Sequence, residues 1–63
     1  MNKLINITCH QSLEEQKTIK VFLASTIIQG VVTDIDELCI EMRTLEKKRI
    51  IIKLDYVQAI EIN

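Results

Sequence analysis

From residue 19 onward, apolar and polar positions alternate in short runs rich in isoleucine and valine. A period of two marks a half-buried strand, and β-branched residues favour that state. Ile19–Ala24 reads as a first strand with Lys20 outward, and Ser25-Thr26 as a tight turn. Ile27–Thr33 reads as a second strand and Asp34–Glu37 as a turn. Leu38, Ile40 and Met42 then alternate with Cys39, Glu41 and Arg43 as a third strand. Thr44–Lys48 is a polar hairpin loop, Ile50, Ile52 and Leu54 mark a fourth strand, Asp55-Tyr56 a corner, and Val57–Ile62 a fifth strand. Five short strands at roughly nine-residue spacing predict a small antiparallel barrel or sandwich.

Residues 1–18 support two readings. Ile5, Ile7 and Cys9 alternate, as in a strand, whereas Ile5, Cys9 and Leu13 lie four apart, as on one helical face. Thr8 with Gln11, or Ser12 with Glu15, has the spacing of a capping box. Glu14, Glu15, Gln16 and Lys17 are good helix formers. The expectation is a short helix over about 7–16.

Gly30 is the only glycine, and it stands inside a β-branched run. A strand glycine marks a bend or a close backbone approach. Asp36, before the third strand, suits a turn in which its carboxylate accepts local N–H groups. Both positions are expected to be structural. Together they predict a mostly β, strongly bent SH3-like barrel behind an N-terminal helix, with the barrel over 19–62.

Ile50, Ile51 and Ile52 are consecutive, and Val57, Ile60 and Ile62 follow. A strand apolar on both faces is covered on both faces, and a bare apolar edge templates association. Pairing of the fourth strand with the fifth strand of a neighbouring copy would cover it. That contact is heterologous and closes into a ring if the rotation allows.

The chain has 63 residues, which is one domain over 1–63. Domains of about 60 residues bury only ~60% of their unfolded surface, so association of copies is a natural extra support. Cys9 and Cys39 are distant, and His10 is the only histidine, so no metal-ligand spacing exists and neither metal nor cofactor is expected. A Cys9–Cys39 disulfide and a reduced pair remain equally open. Cys9 and His10 are adjacent and diverge, with no third group to orient the histidine, so no nucleophile–base pair is expected. Asp34, Asp36, Glu37 and Glu41 read as a solvated acidic face. No apolar run nears the roughly 20 residues of a membrane span, and no leader pattern precedes the strands, so a cytoplasmic protein away from membranes is expected. Asn6-Ile7-Thr8 fits a glycosylation sequon that matters only in a secreted chain. The net charge of −1 weighs against simple phosphate neutralisation as a binding mode.

Ile28-x-Gly30-x-Val32-x-x-Ile35-Asp36-x-Leu38-x-Ile40 resembles the Sm1 signature of the Sm-like family. Ile19-Lys20-Val21-Phe22-Leu23 and Gln29-Gly30 are similar to stretches of its bacterial Hfq branch, and Ile52-Lys53-Leu54 stands where that branch carries Tyr-Lys-His. The resemblance spans most of the chain. It implies a ring, a hexamer in Hfq, with one face for U-rich and the other for A-rich single-stranded RNA. By that likeness the chain would modulate RNA pairing or stability without catalysis.

Several residues depart from the Hfq pattern. Only the lysine of Tyr-Lys-His is kept, Leu38 replaces a base-stacking aromatic, and Glu14-Glu15-Gln16-Lys17 replaces a basic patch. The stretch Ala24-Ser25-Thr26 replaces a longer loop with Asn-Gly. These departures favour the A-rich face.

The candidate RNA contacts are therefore Lys53 at the pore, Phe22 as a stacking ring, Gln29 at an adenine edge, and Lys47, Lys48 and Arg49 as a phosphate patch. Each also has an ordinary reading as an outward strand residue, a core aromatic or a solvated hairpin tip. Two alternatives stand beside the RNA-binding ring. One is a structural or protein-interaction ring with little RNA affinity. The other is an unrelated SH3-like barrel for a peptide or DNA.

Overall fold

The computed structural model describes residues 2–63. Its N-terminal helix α1 spans Lys3–Glu15, starting earlier than the expected 7–16. The Asn2 side chain sets that start by accepting from the N–H groups of Leu4 and Ile5. An asparagine at this position satisfies donors that the first turn leaves orphaned. Neither suggested capping box forms. Thr8 lies inside the helix and donates to the Leu4 carbonyl at 2.8 Å, while Ser12 is fully buried. The helix ends at Gln16, which takes the left-handed conformation with φ 58° and donates its N–H to the Ser12 carbonyl.

Five strands follow: β1 Ile19–Phe22, β2 Ile27–Ile35, β3 Cys39–Thr44, β4 Arg49–Lys53 and β5 Ala59–Ile62. A single 3₁₀ turn, Leu54–Tyr56, joins β4 to β5. All pairings are antiparallel, and the strand order is β4-β3-β2-β1-β5. The outer strands of this bent sheet are therefore β4 and β5.

Several boundaries differ from the sequence reading: β1 ends at Phe22 and not at Ala24, and β3 takes in Thr44 from the expected hairpin loop. Asp34 belongs to β2, because the register shifts between Val32 and Asp34 and lets that strand run on to Ile35. Such a bulge adds a residue and sharpens the bend. Leu38 lies in the turn before β3 and not in the strand. Leu54 and Val57 leave their strands for the 3₁₀ turn and its flank, where the Val57 N–H donates to the Leu54 carbonyl at 3.1 Å.

Alternation sorts the side chains as expected. Ile19, Val21, Val32, Ile40, Met42 and Ile52 point inward with Leu54 and Val57 to form the core. The helix adds Cys9 to it, with Ile5 and Leu13 packed at its border. Burial of such aliphatics contributes roughly 1.5–3 kcal/mol per side chain. Cys9, buried, and Cys39, half-buried, are not joined to each other in this fold. Burial pushes the Cys9 thiol up to about 11.

Gly30 acts as a close backbone approach, with no need for positive φ. A Cβ there would lie 2.9 Å from both the Arg43 carbonyl carbon and the Thr44 Cα, which are backbone atoms of β3.

Candidate nucleic-acid interface

Strand alternation sends Phe22, Gln29, Arg49 and Lys53 to the outer face of the sheet, opposite the core residues beside them. Phe22 pairs with Ile27 across β1–β2 and with Ala59 across β1–β5. Gln29 pairs with Lys20, so Phe22 and Gln29 are diagonal neighbours on the outer face. Diagonal neighbours lie roughly 7–8 Å apart, within reach of an aromatic side chain. Phe22 is half-buried, between the stacking and core readings.

Gln29 also lines a cleft of about 280 Å³ with Ile27, Ile28, Thr44, Leu45 and Glu46. This cleft brings the β3–β4 hairpin to the Phe22–Gln29 side. Lys47 and Lys48 sit on that hairpin, exposed. The turn is closed by the Lys47 N–H donating to the Thr44 carbonyl and by the Lys48 N–H donating to the Thr44 hydroxyl. Lys47 takes φ 64°, a conformation that usually favours glycine or asparagine.

Arg49 does not join those lysines. Its Nε donates to the Glu41 carboxylate, and Glu41 also accepts from the Thr33 hydroxyl at 2.9 Å. These bonds hold the Glu41 carboxyl below its ordinary range, with the Thr33 bond the larger cause. Arg43 stands directly opposite Arg49 across β3–β4, and the carboxylate relieves that like-charge pairing.

Lys53 lies at the far end of β4 from the hairpin lysines, about 13 Å from Arg49 at strand spacing. It pairs with Cys39, at the start of β3. The acidic β2–β3 turn sits against it, because the Leu54 N–H donates to the Leu38 carbonyl at 2.8 Å. Asp36 orders that turn by accepting from the Leu38 and Cys39 N–H groups at 2.8 and 2.7 Å, the role its sequence position predicts. The same bonds hold its carboxyl low, so Asp36 carries its charge in a turn that is joined to Leu54, the residue after Lys53. Leu38 is 69% exposed in that turn.

The six expected contacts thus fall into three places. Phe22, Gln29 and the hairpin lysines share one side, Lys53 occupies another, and Arg49 is occupied by Glu41. One functional candidate is absent from the sequence reading. Tyr56 is 63% exposed, and the Lys53 ammonium lies 5.6 Å from its ring centroid. The available signal was its rarity, since Phe22 and Tyr56 are the only aromatics of the chain. Among the described residues no group of histidine, cysteine and carboxylate side chains could hold a metal ion. No helix among them is long and apolar enough to cross a membrane.

No protein-family model matches the chain, and no curated protein matches it in sequence. The three-dimensional architecture does have a counterpart. A 1.55 Å crystal structure of the pleiotropic translational regulator Hfq superposes with a TM-score of 0.82 at 13% identity, covering 94% of this chain and 98% of that one. The chain has the Sm-like fold in its Hfq-like form, with one helix before five antiparallel strands.

Proposed function

We propose that this protein acts as a homo-oligomeric ring that binds single-stranded RNA without catalysis and modulates RNA pairing or stability. The observation that carries this reading is the pair of unlike open edges, β4 and β5, on a fold shared with a translational regulator. β4 is apolar on its outer face as well, where Ile51 is 61% exposed. A β4 edge meeting the β5 edge of a second copy would complete the backbone ladder and cover Ile51. The same contact repeats around a closed ring, with about six copies expected. Each copy would then present one weak nucleotide site, and the sites would sum by multivalency.

The contacts favoured for RNA are Phe22 and Gln29, with Lys47 and Lys48 on the neighbouring hairpin, and A-rich strands are the expected ligand. Lys53 is assigned a phosphate at the pore, and Arg49 a lesser part because Glu41 already neutralises it. A cytoplasmic location accords with such a role. Two measurements test the proposal: native mass at physiological salt, and titration of A-rich and U-rich oligomers at low salt. A ring mass and tighter binding of the A-rich oligomer are expected. A lone 7.3 kDa particle would overturn the ring. Absence of binding below tens of micromolar would overturn the RNA reading.

The acidic turn beside Lys53 favours a second reading, a ring that holds proteins and has little affinity for RNA. The turn that reaches Leu54 carries Asp36 and Glu37, and phosphate binding depends on net positive potential. Recovery of proteins without RNA in a pull-down would select this alternative.

A further inference from the structure

We infer that Tyr56 and Asp55 form a base-binding subsite that prefers guanine, an assignment that rests on the RNA-binding reading above. A cleft of about 360 Å³ opens between the 3₁₀ turn and the β1–β2 loop, lined by Leu23, Ala24, Ser25, Asp55, Tyr56 and Gln58. The cleft is built on fixed backbone. The Gln58 N–H donates to the Phe22 carbonyl at 2.8 Å, and the Leu23 N–H donates to the Thr26 carbonyl at 2.9 Å. Both walls are thus pinned to the end of β1.

Three features of the cleft match a nucleotide. Tyr56 offers an exposed aromatic surface, and stacking on aromatic rings is a common way that proteins grip unpaired bases. Lys53 holds its ammonium by that ring, where it can meet the phosphate of a stacked nucleotide. The polar residues of the lining are Asp55, Gln58 and Ser25, and Asp55 is the charged one among them, an acceptor.

A carboxylate selects among bases by what their pairing edges present. Guanine offers two adjacent donors, N1–H and N2–H, that a carboxylate can accept together. Cytosine and adenine each offer one exocyclic amino group. Uracil sets its single N–H between two carbonyl oxygens, which a carboxylate repels. The order of preference is therefore guanine first, then cytosine and adenine, with uracil last. This subsite is separate from Phe22 and Gln29, whose expected partner is adenine. A strand engaging both would carry guanine and adenine at different positions.

The test uses the full chain and four uridine octamers that differ only in two central bases, read by anisotropy. Tyr56 is the sole tyrosine and tryptophan is absent, so intrinsic fluorescence reports on this corner directly. The guanine octamer is expected to bind roughly tenfold tighter than the adenine and uridine octamers and to quench Tyr56. Asp55→Asn should abolish the preference and keep the quenching. Tyr56→Phe should keep the preference, and Tyr56→Ala should lose it, with unchanged circular dichroism showing that each variant folds. Equal binding of all four octamers, or a preference that survives Asp55→Asn, would overturn the subsite while leaving the RNA reading in place. Failure of every octamer to bind would overturn both.

Discussion

The Val32 amide donates to the Ser12 hydroxyl at 3.0 Å, fastening the middle of β2 to the helix. β1 runs alongside β2 only from Ile27 to Gly30, so beyond Gly30 that side of β2 has no strand partner. Ser12 takes the place of one, and its hydroxyl donates to the Lys17 carbonyl at 2.7 Å. Ser12→Ala would strand a buried donor and a carbonyl, and each such loss costs about 1–3 kcal/mol. The expected outcome is a loss of about 2 kcal/mol in urea unfolding at fixed protein concentration. A loss near zero would mean that water replaces the hydroxyl.

Gly30→Ala tests the close approach of β2 to β3. The added methyl meets backbone, which cannot rotate away as a side chain could. A cost of about 3 kcal/mol or more is expected, enough to drive a domain of this size toward insoluble expression. Soluble protein with wild-type thermal stability would show that the strands can part without penalty.

Lys47 is the opposite case, a residue that the fold tolerates under strain. Its φ of 64° costs a non-glycine residue roughly 1 kcal/mol. Lys47→Gly should therefore raise the urea midpoint, with a gain of up to about 1 kcal/mol, and it removes one candidate phosphate contact. Stability and RNA affinity are expected to move in opposite directions in this variant.

Acid should weaken the protein through Asp36 and Glu41. Both carboxyls are held below their ordinary values of 3.8 and 4.5 by bonds made only in the folded chain. A group depressed by folding binds its proton more readily when unfolded, so its contribution is complete above the unfolded value. It fades as pH falls through the folded value. Stability should hold at neutral pH and decline below about pH 4.5, and Asp36→Asn should flatten that decline. An unchanged acid limb in Asp36→Asn would remove Asp36 as a contributor.

Much of the barrel was legible because its inward positions repeat every second residue from Ile19 to Ile62, and few of them compete with another pattern. Gly30 and Asp36 were legible for a related reason, as each is a residue type with one dominant use in its local context. The helix start was not. Ile5, Ile7 and Thr8 are β-branched and weak helix formers, and the packing of Ile5, Cys9 and Leu13 on the core overrides them. The true cap, Asn2, lay ahead of any apolar repeat that would have flagged it. The place of Asp34 in β2 is not legible, because a bulge is invisible to a strict two-residue period. At the candidate interface, outward orientation could be read, but neighbours could not. That Glu41 occupies Arg49, and that the Asp36 turn bonds to Leu54, depends on strand register, which no local window contains. Tyr56 carries no such marker, because exposure of a corner aromatic is decided by the 3₁₀ turn to which it belongs.

The sheet has two bare borders of different sequence, so every copy carries a head and a tail. In the proposed ring, growth by joining them would be directional. A subunit with proline placed in β5 would still offer its intact head, accept one neighbour and pass nothing on. Mixed in as a small minority, such a capped molecule would leave unfinished arcs in place of circles, and a few damaged copies could silence many sound ones.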